Sequence, residues 1–171
     1  MSNVSIRATT RADLPRLIEI YNYYILNTAI TFDLEPYTIA TRTPWFEEHT
    51  AGARHQMLVA EENGIVIGYA CTGRFRDKAA YNPTVEASIY CAPEGTGRGV
   101  GSRLYAALFE TLAVEDVHRI VAGVTIPNDA SIALHKRFRF REIGTFSEVG
   151  YKFGRRWDVT WLERPLKIAG A

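Results

Sequence analysis

Apolar and polar positions alternate from Val4 to Ala8, which predicts a short strand. Thr10-Arg-Ala-Asp13 follows, a cap-like threonine with an acid three residues on. It opens a helix whose apolar stripe is Leu14, Leu17, Ile18, Tyr21 and Ile25. Asn27 to Pro36 is a mixed loop, longer than a connection requires. A second short helix is expected from Thr43 to Thr50, with Pro44 in its first turn. Gln56 to Glu61 and Ile65 to Thr72 read as strands joined across Glu62-Asn63-Gly64, a hairpin signal. Thr84 to Cys91 is the next strand, followed by a helix from Val100 to Glu115 striped with Leu104, Leu108 and Leu112. After a strand from Arg119 to Thr125, Pro127 to Ser131 opens a short helix over Ile132 to Phe138. Two more strand-like runs close the chain, Glu142 to Phe153 and Asp158 to Leu166, linked through Gly154-Arg-Arg156. This order predicts a mixed α/β sheet with helices on both faces, in one domain spanning residues 1–171.

Composition narrows the class. At 47% hydrophobic and 23% charged, the chain is an ordinary soluble one, and a net charge of +1 implies no general field for nucleic acid or membranes. Charge is uneven, however. Lys136, Arg137, Arg139, Arg141, Lys152, Arg155 and Arg156 face only Glu142 and Glu148 over one short stretch. Most of these belong on a solvated face, and one or two are candidates to meet an anionic ligand. Cys71 and Cys91 lie in apolar strand-like runs without metal or disulfide spacing. Two free thiols, no signal-peptide core and no membrane-length apolar run predict a cytoplasmic protein with no metal site.

The informative stretch is Ser88 to Tyr105. An apolar strand breaks at Ala92-Pro93; Gly95, Gly97, Gly99 and Gly101 then occupy every second position before a helix. Such glycines let the backbone approach a ligand, and the helix start offers free amides and a positive dipole end, a natural phosphate site. A Walker loop would need Lys-Ser/Thr after the last glycine, and Ser102-Arg103 stands there instead. The dinucleotide spacing fails for every choice of first glycine. What fits is the shorter Gly97-Arg-Gly-Val-Gly-Ser102, which resembles the coenzyme A pyrophosphate loop of the GNAT superfamily of N-acetyltransferases.

Further segments are similar to the phosphinothricin and methionine-sulfoximine N-acetyltransferase group of that superfamily. They are Glu19-Ile-Tyr-Asn22 with Thr31-Phe-Asp-Leu-Glu-Pro36, Ala80-Tyr81 with Thr84-Val-Glu-Ala-Ser-Ile-Tyr90, and Ile126-Pro-Asn-Asp-Ala-Ser131 with Leu134-His135. Gly150-Tyr-Lys-Phe-Gly154 with Trp157-Asp-Val completes the set. The resemblance implies a largely antiparallel central sheet flanked by helices, acetyl-CoA as co-substrate, a small amino-acid-like amine as acceptor, a homodimer and, as a consequence, herbicide resistance. Coenzyme contacts are expected at Ile89, Tyr90, Cys91, Gly97, Arg98, Gly99, Val100, Gly101, Ser102, Asn128 and Ser131. Asn128 and Ser131 suit plain helix capping equally well.

An amine needs a base, the tetrahedral intermediate needs donors for its oxyanion, and the departing thiolate gains from a proton. Strand alternation puts Glu86, Ser88 and Tyr90 on one face, opposite Val85, Ala87, Ile89 and Cys91. Glu86, inside a strand next to the loop, is the candidate base, the role that the resemblance gives it; a solvent-facing Glu is the plain alternative. The oxyanion donor is expected to be a backbone N–H near Tyr90 or Cys91. His135 is the candidate partner of the thiolate or simply a hydrogen bond to the coenzyme, set against a helix-surface His, with Tyr90 and Tyr151 as alternatives. Cys91 lacks an activator as a nucleophile. The resemblance places substrate contacts at Arg74 and Arg76, with Phe32 walling the pocket and Lys152 reaching a site, that of a partner subunit included. Two positions depart from the pattern. Thr96 replaces Gln/Arg, its hydroxyl still able to bond a phosphate; Arg139 replaces a glycine, so a backbone outside the left-handed region is expected there. Acetylation of a protein N-terminus or polyamine, and a coenzyme A sensor without catalysis, are the competing readings.

Overall fold

The computed structural model describes residues 4–166. The first three and last five residues, part of the single-domain assignment and of the N-terminal leader argument, lie outside it. Strand β1 (Val4–Ala8) leads through a 3-10 turn (Arg11–Asp13) into α1 (Leu14–Asn27). Thr10 and Asp13 form the expected capping box. Helix α2 spans Ile39–His49, four residues earlier than the sequence pattern indicates, so Pro44 lies inside it rather than in its first turn. The cause is a second capping box, between Thr38 and Thr41, that starts the helix upstream of the proline.

Strands β2 (Met57–Glu62), β3 (Ile65–Arg74) and β4 (Thr84–Cys91) follow, then α3 (Val100–Leu112), β5 (Arg119–Ile126), α4 (Asp129–Arg137), β6 (Arg141–Lys152) and β7 (Arg155–Pro165). Helix α3 stops short of Glu115 because its last turns tighten into Ala113 N–H to Glu110 and Glu115 N–H to Leu112 bonds. Helix α4 begins before Ile132, where the Asn128 side chain accepts the Ser131 N–H. Arg155 and Arg156 belong to β7, not to the link; Phe153 and Gly154 alone make the turn, both at positive φ.

The seven strands run in the order β1-β2-β3-β4-β5-β7-β6, antiparallel throughout except between β4 and β5. This is the mixed, largely antiparallel sheet with helices on both faces. Helix α3 lays Val100, Leu104, Tyr105, Leu108 and Leu112 on one face, against Val85, Ala87, Ile120 and Ala122. Helices α1 and α2 cover the other with Leu14, Leu17, Ile18 and Phe46 on Val59, Tyr69 and Cys71. Among the described residues, no helix is long and apolar enough to cross a membrane.

Candidate active site

The one parallel junction is where the sheet opens. β4 and β5 pair only at Thr84–Arg119, Val85–Ile120 and Glu86–Val121, after which they diverge. β5 continues along β7 while Ala87 to Cys91 stay with β3. A slot of about 50 Å³ remains between them, lined by Ala87 to Tyr90, Ala122 to Thr125, Asn128, Ser131 and His135. Ala92 N–H donates to Ile67 O, and antiparallel pairing alternates, so the Tyr90 amide turns toward β3. Ile89 and Cys91 turn theirs away from β3, and of the two Ile89 lines the slot. Of the two expected oxyanion donors, Tyr90 therefore points its amide into the ladder with β3 and Cys91 points its own away from it. The Tyr24 hydroxyl donates to Cys91 O at 2.5 Å and fixes the end of the strand.

The slot shares walls with a larger cleft of about 460 Å³ between the ends of α3 and α4. Gly97 (φ 71°) and Gly99 (φ 76°) carry the loop through the left-handed region, where any side chain would be strained. Gly97, Gly99, Val100, Gly101, Ser102, Ile89, Tyr90, Cys91, Asn128 and Ser131 all line this cleft, as expected. Arg98 does not: its guanidinium is on the Glu62 carboxylate of β2, at 2.5 and 3.0 Å. The Thr96 hydroxyl donates to Pro93 O at 2.8 Å rather than into the cleft. The loop therefore offers mainly amides. The charged side chain on the cleft wall is Arg137, which donates to Ser102 Oγ at 3.3 Å. The basic run of the sequence contained this residue without distinguishing it.

Glu86 occupies the last closed rung, on the α1/α2 face. Burial pushes its carboxyl above the ordinary carboxylate range, and the positive charge of Arg76 pulls the other way. Arg74 pairs across from Val85, next to Glu86. Both arginines are exposed; Arg74 has only a loose contact with Asp77 at 3.9 Å, and Arg76 lies over the Phe75 ring. The structure thus brings Arg74, Arg76 and Glu86 to one end of the sheet.

Phe32 and Lys152 lie elsewhere. The Phe32 ring covers Gly150, where an added β-carbon would come within 2.1 Å of it, and buried Lys152 donates to Thr31 O at 2.8 Å. Burial lowers the Lys152 ammonium, with Asp33 opposing. Gly150 pairs with Trp157, one residue beyond the partner of Ile126, whereas Glu86 pairs with Val121. Five residues of strand, about 16 Å, and two intervening strands separate the two groups within one chain.

His135 is buried, not on the helix surface. Its Nδ1 faces Ser131 O at 2.7 Å and so carries the proton; Nε2 then accepts from the Tyr105 hydroxyl at 3.0 Å. Burial holds its pKa below the ordinary imidazole value. With both nitrogens engaged and the ring neutral, His135 shapes the slot wall together with Tyr105. Tyr151 is exposed on β6, away from the slot. Arg139 has φ 62°, against expectation. Arg139 N–H donates to Lys136 O and Phe140 N–H to His135 O, the paired bonds of a Schellman cap, and the Phe140 ring closes on His135 at 4.9 Å. The cap imposes the left-handed residue.

The profile of the acetyltransferase (GNAT) domain matches residues 6–161. The chain belongs to the GNAT acetyltransferase family. A phosphinothricin N-acetyltransferase of Streptomyces coelicolor is 48% identical over 96% of this chain and 98% of its own. An L-methionine sulfoximine/L-methionine sulfone acetyltransferase of Pseudomonas aeruginosa is 35% identical over 96% and 95%. The crystal structure of a GNAT phosphinothricin acetyltransferase from Sinorhizobium meliloti, in complex with AcCoA, superposes with a TM-score of 0.90 at 34% identity, covering 95% of this chain and 88% of that one.

Neither cysteine of this GNAT acetyltransferase is activated. Burial raises the Cys91 thiol to about 11 and the Cys71 thiol to about 12, and both are free. Two groups escaped the sequence reading. Arg42 of α2 is buried with its guanidinium 3.7 Å from the Trp45 ring centre, 4.3 Å from Tyr21 and 4.4 Å from Tyr37. His49, at the end of α2, overhangs Gly73. Neither residue belongs to a local motif; each reaches the site only through tertiary packing.

Proposed function

We propose that this acetyltransferase transfers the acetyl group of acetyl-CoA directly to the primary amine of a small amino-acid analogue of the phosphinothricin and methionine-sulfoximine kind. The observation that carries this reading is the fork itself. A carboxyl group with raised proton affinity stands on the last closed rung, free strand amides follow, and two exposed arginines flank the carboxyl. In this reading the pyrophosphate lies against the amides of the loop from Gly97 to Ser102, with Arg137 beside it, and the pantetheine arm follows β4 into the slot. The Cys91 amide receives the oxyanion, Glu86 takes a proton from the ammonium, and Arg74 and Arg76 hold the acceptor's carboxylate. The relatives named for phosphinothricin and methionine sulfoximine support this acceptor class. Two free thiols fit a reducing compartment, the cytoplasm.

The site is completed by a second copy. Along the edge strand β6 and the turn after it, Ile143, Phe146, Val149, Tyr151 and Phe153 are exposed, a surface that invites pairing. A homodimer formed there lets Phe32 of one chain wall the Glu86 site of the other, with Lys152 holding the Phe32 loop through Thr31 O.

The test follows thiol release from acetyl-CoA with phosphinothricin, methionine sulfoximine, methionine sulfone, common amino acids, polyamines and short peptides. Turnover should be confined to the sulfoximine-like amino acids and fall at least 100-fold in Glu86→Gln with acetyl-CoA affinity intact. Turnover on peptides or polyamines would discard the acceptor assignment, and binding without turnover on any amine would indicate a sensor. Mixing Glu86→Gln with Lys152→Ala chains should restore activity that neither has alone; no restoration after subunit exchange refutes the shared site.

A further inference from the structure

We propose that His49 is a second proton acceptor for the amine, working beside Glu86; this rests on the reading of Glu86 given above. The chemistry requires two proton losses from the acceptor nitrogen. An ammonium must give up one proton before its lone pair can attack the thioester carbon. The nitrogen of the resulting tetrahedral adduct is again positively charged, and must lose a second before the carbon–sulfur bond breaks and the amide forms. Glu86, protonated in the first step, cannot take the second until it has released its proton. The thiolate leaves with the electron pair of the carbon–sulfur bond and is protonated to the free thiol, so one proton is released overall.

His49 has the geometry for that second step. Its Nδ1 faces Trp45 O at 2.8 Å and therefore carries the ring proton as a donor. The lone pair lies on Nε2, which has no hydrogen-bond partner among the described residues and is not sealed from solvent. The ring is held by Trp45, whose centre is 4.7 Å away. Nε2 overhangs Gly73 so closely that a β-carbon there would lie 2.4 Å from it; only glycine leaves the space. Gly73 is the cross-strand partner of Glu86. Directly opposed β-carbons are about 5 Å apart, which places Nε2 within roughly 8 Å of the Glu86 β-carbon on the same sheet face. At that separation one acceptor nitrogen can meet both the carboxylate and the imidazole, directly or through a water.

The charges around His49 favour a neutral ring. Burial lowers its proton affinity most, the hydrogen bond to Trp45 O and then Glu48 oppose this, and Arg42 on its own helix and His55 in the next loop add to it, with the net shift downward. From the sheet it meets Gly73 flanked by Glu86 and Cys71, with Arg74 on the next position of β3. A neutral imidazole beside a carboxyl of raised proton affinity makes two acceptors usable at the same pH.

Chemical rescue tests the role. His49→Ala should lower kcat at least tenfold with the KM for acetyl-CoA unchanged, and added imidazole should restore the rate in proportion to its free-base concentration. A kcat within threefold of the parent, or a loss that imidazole does not relieve, overturns the proposal. If the alanine variant does not fold, His49→Gln keeps the shape without a titratable base. It should show the same fall in kcat at saturating acetyl-CoA; a parental rate across the pH range overturns the proposal. Retained turnover in Glu86→Gln would instead refute the reading of Glu86 itself.

Discussion

Replacing Arg139 by glycine should make this protein more stable. Arg139 holds the left-handed position of a Schellman cap at φ 62°, with both cap bonds formed. A β-carbon in that region costs about 1–2 kcal/mol. Glycine removes the cost but brings a larger unfolded-state entropy, about 0.4–1 kcal/mol against the variant. The balance is a gain of about 0.5–1 kcal/mol, or about 1–4 °C in Tm for a chain of this size. Arg164, which donates to Phe138 O at 3.0 Å, is held below its ordinary value by burial and then by the charge of Arg139. Arg139→Ala separates the two effects, because it removes the charge and keeps the β-carbon. Urea denaturation of the three proteins should rank glycine above both alanine and arginine, with unchanged slopes. An alanine variant as stable as the glycine one would refute the backbone argument and leave only charge.

Two further outcomes follow from buried charges. Arg42→Ala removes a desolvated cation from three ring faces and leaves a cavity under α2, so it should cost about 2–4 kcal/mol by denaturant titration; a loss under 1 kcal/mol would mean the ring contacts contribute little. Asp13 accepts two bonds from Arg7 at 2.8 Å and caps Thr10 N–H at 2.8 Å, and these hold its carboxyl below the ordinary range despite burial. A depressed carboxyl adds stability that is present above the unfolded-state value near 4 and lost as pH falls through the folded one. Asp13→Asn should therefore be less stable by about 1–3 kcal/mol at pH 7, the gap closing below about pH 4. An equal gap at pH 7 and pH 3 would refute the linkage.

What the sequence revealed was local. The glycine loop, the strand carrying Glu86 and the Asn128 cap are each written within a few adjacent residues, and each has the place that its pattern indicates. The errors arose where a nonlocal or less familiar cap prevailed. Thr41 closes a capping box as a threonine where Glu or Gln is the usual signal, so the pattern puts the start at Thr43 with Pro44 in the first turn. The sequence leaves open whether His135 points to solvent, because Tyr105, whose hydroxyl donates to it, stands thirty residues earlier in the chain. Arg139 lacks the glycine signature, yet the bonds made by its neighbours fix its backbone. Arg42, His49 and Arg137 belong to no motif, and only the packing of α2 and α4 brings them to the site.

The fork explains why these local pieces make one active site. The β4–β5 ladder closes for three rungs and then has to open, because β5 from Ala122 onward is committed to β7 and β4 to β3. The strand ends on either side are fixed independently, Cys91 by Tyr24 and Ile126 by its pairing with Asp158. Unpaired amides inside a protein are costly, and here they line a slot with small side chains, Ala87, Ala122 and Gly123, on its walls. In the proposed mechanism, a thioester entering that slot supplies the acceptor these amides lack. Proton acceptor and oxyanion donor then share one strand, with Glu86 five residues, about 16 Å, from Cys91, so the proton reaches Glu86 through water. The proposed roles ask neither Glu86 nor Cys91 to move, which is the condition for stabilising a transition state without reorganisation.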